Sequence, residues 1–184
     1  MKQVMIPPEL MRKVAEGDKQ AFEQLYYLTY KPVFSFLLSL TMNREDAGDL
    51  LQETYLRVYG SAHLYRDGNP MAWIMKIAKN LFLMDKRKKS ARPESGGDTQ
   101  QLAADDFSSI EDAETRILLE QLFEKLTQEE REIIVLHITG GFRHREIAKI
   151  LDVPLGTVLS KYSRALKKLK ASASEAMEGT DNVG

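Results

Sequence analysis

The sequence predicts an all-α chain, on three observations. Apolar residues recur at three- and four-residue steps through every long segment, no alternating strand pattern of useful length occurs, and capping residues stand where those segments begin. Asp18 is placed to cap a long helix reaching about Thr41, with Ala21, Phe22, Leu25, Tyr26, Val33, Phe34, Leu37 and Leu38 as its buried stripe. Asn43 caps a second helix expected to end at Gly60, with Leu50, Leu51, Tyr55 and Val58 inward. Asn69-Pro70 opens a third, carrying Trp73, Ile74, Ile77, Leu81 and Met84 inward. Glu111 to Leu126 reads as a further helix, and Thr127 starts the next with a Thr-x-x-Glu box closed by Glu130. The pattern predicts about four helices, a linker and about four more.

Residues 142–170 carry the most chemistry. One helix is expected from about Arg143 to Leu151, burying Ile147, Ala148 and Leu151; Asp152 ends it in a left-handed conformation that Asp tolerates. Pro154 suits the first turn of a second helix, with Val158, Tyr162, Leu166 and Leu169 inward. Thr157, Ser160, Lys161, Arg164 and Lys168 recur on the opposite side. Two helices about a tight turn, the second with a polar cationic face, fit a helix-turn-helix entering the DNA major groove. The competing reading is an ordinary amphipathic hairpin with a solvated face. Charge favours DNA: from Arg143 to Lys170 there are eight basic and two acidic residues, in a chain whose net charge is -1.

Composition excludes several classes. With no cysteine there are neither disulfides nor thiolate metal sites, and a cytoplasmic location is expected. His63, His137 and His144 are far apart and lack carboxylates at metal-ligand spacing, so they read as structural or surface residues, and no metal or other cofactor is expected. No secretory signal is evident at the start, and the longest apolar run, Val33 to Leu40, is too short to span a bilayer. No nucleophile–base pair or phosphate-cradling glycine loop occurs, so no catalytic residue is assigned.

Charge also divides the chain. Residues 91–115 hold one basic and seven acidic residues, and the stretch ARPESGGDTQQLAADD has no helical period over its first half. It reads as a flexible acidic linker, since about 20 structureless residues are too many for the inside of one compact domain. The tail from Ala171 is small and polar and is expected to fray.

In this order the segments resemble the extracytoplasmic-function (ECF) sigma factors of the sigma-70 family. GDKQAFEQLY (17–26), EDAGDLLQETYLRVY (45–59), NPMAWIMKIAKNLFLMDKRKK (69–89) and the run from Leu126 to Lys170 carry the resemblance. It implies a sigma-2-like domain over 1–90, the linker over 91–112, a sigma-4-like helix-turn-helix domain over 113–172 and a disordered tail over 173–184. The implied function is to bind core RNA polymerase through β′ and β and to recognise −10 and −35 promoter DNA elements, under the control of an anti-sigma factor where one exists.

Roles follow position by position. Asp49, Leu50, Gln52 and Glu53 match the segment that docks on the β′ coiled coil; Asp49, Gln52 and Glu53 share one helix face, a compact acidic and amide patch for a basic partner. The loop Arg66, Asp67, Gly68 and Asn69 matches the specificity loop that captures an extruded −10 base. Trp73 and Asn80 fall near the unwound strand, although Trp73 also lies on the apolar stripe, where a core role competes. Lys76, Lys79, Lys86, Arg87 and Lys88 supply a cationic track for single-stranded DNA. The −35 assignment covers Arg143, Arg145, Thr157, Leu159, Ser160, Lys161, Arg164 and Lys168. Leu159 stands where the family commonly has a basic residue, and Lys161 replaces a common Arg, which weakens two-point guanine readout there. Two readings compete: a helix-turn-helix regulator that binds duplex DNA alone, and a sigma mimic that sequesters polymerase or an inhibitor. No heptad run or ligand domain supports the first, and the intact basic recognition helix opposes the second.

Overall fold

The computed structural model describes residues 4–90 and 124–180, with side chains through Ser172. The expected acidic linker, most of the helix expected from Glu111, and residues 181–184 lie outside the described residues. Among those described the chain is helical, with no strand. A short α1 (Pro8–Ala15), which the sequence pattern did not announce, precedes α2 (Lys19–Thr41), α3 (Arg44–Ser61), a single 3-10 turn (Ala62–Leu64) and α4 (Pro70–Ser90). The second half holds α5 (Gln128–Ile138), α6 (His144–Leu151) and α7 (Leu155–Thr180).

The predicted starts are real caps. Asp18 Oδ1 accepts from the backbone N–H groups of Gln20 (2.8 Å) and Ala21 (3.1 Å), and Asn43 Oδ1 from Asp46 (3.0 Å). Asn69 Oδ1 accepts from Met71 (3.0 Å) and Ala72 (3.3 Å). Thr127 and Glu130 form the reciprocal box, with Glu130 Oε2 2.9 Å from the Thr127 N–H. Asp152 ends α6 at φ 55, as its side chain allows.

Four expectations are corrected. α3 does not stop at Gly60, which is not left-handed; it continues to Ser61 and tightens into the 3-10 turn. Pro154 sits one residue before α7, where its carbonyl accepts from Thr157 (3.0 Å) and Val158 (3.3 Å). α7 runs to Thr180 instead of fraying at Ala171; Ala171, Ala173, Glu175, Ala176 and Glu178 are good helix formers along that stretch. Met84 is exposed at 48%, whereas Met71, Met75, Ala78 and Phe82 are buried, so the inward face of α4 is broader than its predicted stripe.

That breadth has a cause. α2 packs on α1, α3 and α4 and also on α5, while α4 meets α3 on one side and α6 on the other. One apolar core therefore runs from Leu25, Phe36 and Leu37 through Ile74 and Met75 to Ile133, Leu136, Phe142 and Ile147. Between α2 and α3 the Thr29 and Tyr55 hydroxyls meet at 2.6 Å, and Thr29 also donates to the Leu25 carbonyl. Burial raises the Tyr55 pKa, which keeps this contact neutral.

Candidate nucleic-acid interface

The acidic patch of α3 is placed as expected, with one exception. Asp49, Gln52 and Glu53 are exposed, and Glu53 makes only a surface pair with Arg57 at 3.7 Å. Leu50 is buried at 8% and supports the patch from beneath. Leu56, 69% exposed, is an apolar side chain on the same stretch of α3 that the sequence pattern did not single out. It stands three residues from Glu53 and four from Gln52, and that helical spacing was the available signal. Asp46 receives Lys89 at 3.0 Å, and that hydrogen bond raises the Lys89 pKa.

The loop before α4 is tied across its own turn. Gly68 takes φ 113, a backbone region that L side chains rarely adopt, and its carbonyl accepts from the Tyr65 hydroxyl at 2.9 Å. The Tyr65 ring stands edge-on to Trp73 at 5.5 Å, so Trp73 is half-buried and braces the loop. Arg66, Asp67 and Gly68 are exposed beside a cleft of about 380 Å³ whose opposite wall is Met11 and Arg12 of α1. These α1 residues were missed because one eight-residue helix gives little periodic signal.

Along α4 the cations diverge. Lys76, Asn80, Lys86, Arg87 and Lys88 are exposed. Lys79 is turned instead toward the second half, 3.2 Å from Glu132 Oε2 and 3.3 Å from the Leu151 carbonyl oxygen. Asn69 is likewise committed: its Oδ1 caps α4, and its amide donates to Glu146 Oε1 at 3.2 Å.

In the helix-turn-helix, Ser160, Arg164 and Leu159 face outward, with Leu159 46% exposed. Arg143 and Arg145 are exposed at the start of α6, where Glu146 Oε2 accepts from the Arg143 N–H at 2.9 Å. Thr157 is half-buried. Lys161 is bonded to Glu129, and Lys168 donates to buried Glu130 at 2.7 Å. Burial alone would raise the Glu130 carboxyl, but Lys168 and the Thr127 groups outweigh it and hold it below its ordinary value. Lys168 thus fastens α7 to α5, while Arg164 is exposed and its Nε donates to the Ser160 carbonyl of its own helix at 3.4 Å.

Folding also brings together two histidines seven residues apart, one on each side of the turn between α5 and α6. His137 and His144 stack at 5.0 Å with Tyr162 edge-on to both, and His137 Nδ1 meets the Phe142 carbonyl at 2.9 Å. Burial first, then the facing His137, lowers the His144 pKa, and its Nε2 is buried without a partner among the described residues. The folded form therefore resists the proton that the unfolded chain accepts near the ordinary value of 6.5. The second half should keep full stability above that value and lose it as pH falls below. Glu130 acts separately, under its own ordinary 4.5. Thermal melts at about pH 7.5 and about pH 5.5 check this. The difference should shrink in His144→Phe; an unchanged difference would exclude His144 as its source.

Residues 25–92 match Sigma-70 region 2, and residues 116–169 match Sigma-70 region 4. The chain is 32% identical over 155 residues to the ECF RNA polymerase sigma factor EcfG of Rhodopseudomonas palustris, covering 82% of each protein. The chain belongs to the ECF sigma factors of the sigma-70 family. As an ECF sigma factor it directs promoter-specific initiation of transcription, within a family that is non-catalytic. Its fold is that of CnrH, solved in complex with the cytosolic domain of CnrY, at TM-score 0.67 and 21% identity over 91% of this chain and 96% of that one. It is also that of the Bartonella quintana sigma factor RpoE, solved with the anti-sigma factor NepR, at TM-score 0.63 and 22% identity over 83% and 96%. Among the described residues no helix of this sigma factor is long and apolar enough to cross a membrane.

Proposed function

We propose that the two halves divide the promoter between them. The half containing α1–α4 docks on core polymerase through Asp49, Gln52, Glu53 and Leu56 and holds the opened −10 element along α4 and the loop before it. The half containing α5–α7 reads the −35 element with the outward face of α7, and the acidic segment joins them within the polymerase. The observation that carries this reading is the pairing of a loop tied by Tyr65 and Gly68 beside an open cleft with a helix-turn-helix whose outer face holds Arg164. A flipped base offers its Watson–Crick edge to such a cleft, while a duplex is read from the groove. The chain performs no chemistry itself, acts in the cytoplasm where polymerase works, and is open to restraint by an anti-sigma partner.

Transcription of a randomised promoter library tests the division. Exchanging Asp67 to Asn69 for a different loop should change tolerance at one −10 position and leave −35 preference alone. Arg164→Ala should do the reverse, weakening −35 readout by about 1–3 kcal/mol if it makes a two-point base contact. A loop exchange that moved only −35 preference would reverse the assignment.

A further inference from the structure

We propose that Leu159 selects a thymine in the −35 element by covering its C5 methyl group, so that one base is read by apolar contact. The inference rests on the −35 role proposed for α7. It starts from the side chains that the fold leaves outward on that helix. Lys161 is bonded to Glu129, Lys168 donates to Glu130 at 2.7 Å, and Thr157 is half-buried. Over the first three turns the exposed positions are instead Gly156, Leu159, Ser160, Ser163 and Arg164. Among the described side chains of α7, Leu159 is the one large apolar group that is exposed, at 46%.

Leu159 and Arg164 stand five residues apart, about 140° around the helix, and so form the two flanks of this face. Between them lie Gly156, Ser160 and Ser163, all small, and a Cβ added at Gly156 would meet nothing within 4 Å. The cations Lys161 and Lys168 fall on the Arg164 side. The other flank, at three-, four- and seven-residue steps from Leu159, holds Leu155, Tyr162 and Leu166, and Tyr162 is packed on His137 and His144. A base edge beside that flank therefore meets an apolar neighbour. In the major groove guanine, adenine and cytosine present hydrogen-bonding atoms there, whereas thymine adds a methyl group beside its O4. Leu159 placed over a polar edge would displace water and return no bond; placed over the methyl, it withdraws apolar surface of both from water. As the fifth residue of α7, Leu159 is also in the N-terminal part of the helix, which meets base edges in this motif.

A promoter library randomised over the −35 element, transcribed by core polymerase with the full wild-type chain, should show thymine preferred at one position of one strand. Leu159→Ala should lose that preference and keep the others. At the preferred position, deoxyuridine, which lacks only the C5 methyl group, should lower wild-type initiation at limiting holoenzyme. The expected drop is about fourfold, the worth of one methyl group withdrawn from water. The Leu159→Ala chain should transcribe the two templates alike, and its circular dichroism should match wild type because the side chain is exposed. No preferred thymine, equal use of both templates by the wild type, or an unchanged thymine preference in Leu159→Ala would each overturn the proposal. Failure of the −35 role itself would look different, since Arg164→Ala would then also leave every −35 preference unchanged.

Discussion

Asp49→Lys combined with Glu53→Lys will weaken core polymerase binding by about 10²-fold, since like charges placed across an interface cost several kcal/mol. The effect should be confined to binding. Both carboxylates are exposed, and the Glu53–Arg57 pair at 3.7 Å with side-chain exposures of 50% and 57% is the kind that adds little to stability. Leu50 stays buried beneath and keeps α3 in place. Circular dichroism and the melting temperature should stay near wild type while co-purification with polymerase and run-off product are lost. Wild-type transcription by the double variant would remove α3 from the docking surface.

Phe142→Ala should destabilise the second half by about 3–5 kcal/mol, the usual cost of truncating a fully buried aromatic side chain. Phe142 is 0% exposed and lies in the turn that joins α5 to α6. Its N–H donates to the Leu136 carbonyl at 3.2 Å, its carbonyl meets His137 Nδ1, and its ring fills the space above Gly140, where a Cβ would lie 2.6 Å away. Loss of that ring empties the space that sets the angle between the two helices. Against a total domain stability of about 5–15 kcal/mol, such a loss removes a large share of the margin that keeps the helix-turn-helix folded. Hydrogen exchange should speed up across α5–α7 more than across α1–α3, and −35-dependent transcription should fall with it. Uniform exchange throughout the chain would show that the two halves unfold as one unit.

The elements of this fold were legible where a residue acts on its own neighbours. Asp18, Asn43, Asn69 and Thr127 cap helices through bonds spanning two or three residues, and sequence spacing contains all of that information. The left-handed Asp152 is of the same kind. The errors arise where distant parts meet. Met84 looked inward because α4 was treated as a helix with one buried stripe, but α4 is covered by α3 and α6 from different directions and its outer end is left bare. Pro32 lies buried inside α2, so the helix expected from Asp18 to Thr41 runs through it despite the usual reading of proline as a boundary.

The candidate site divides in the same way. Residue type and position picked out exposed Asp49, Glu53, Arg66 and Arg164 correctly as surface groups. They could not show that Lys79 and Asn69 face the second half, that Lys161 and Lys168 bind carboxylates of α5, or that His137 and His144 stack. Each of those contacts joins residues from different elements of the chain. Of their partners, Glu130 was legible as the closing residue of the Thr127 box, but only packing reveals that Glu130 and Glu132 are buried.

On the proposed division, this chain selects promoters for core polymerase through two surfaces. Run-off transcription of a randomised DNA library by purified core polymerase, with and without the full chain, tests it most directly. With the chain, start sites should collect a fixed distance downstream of a paired −10 and −35 sequence; without it they should be scattered. Start sites unchanged by the chain, combined with sequence-specific binding of duplex DNA by the free protein at physiological salt, would contradict the account and show a stand-alone DNA-binding regulator.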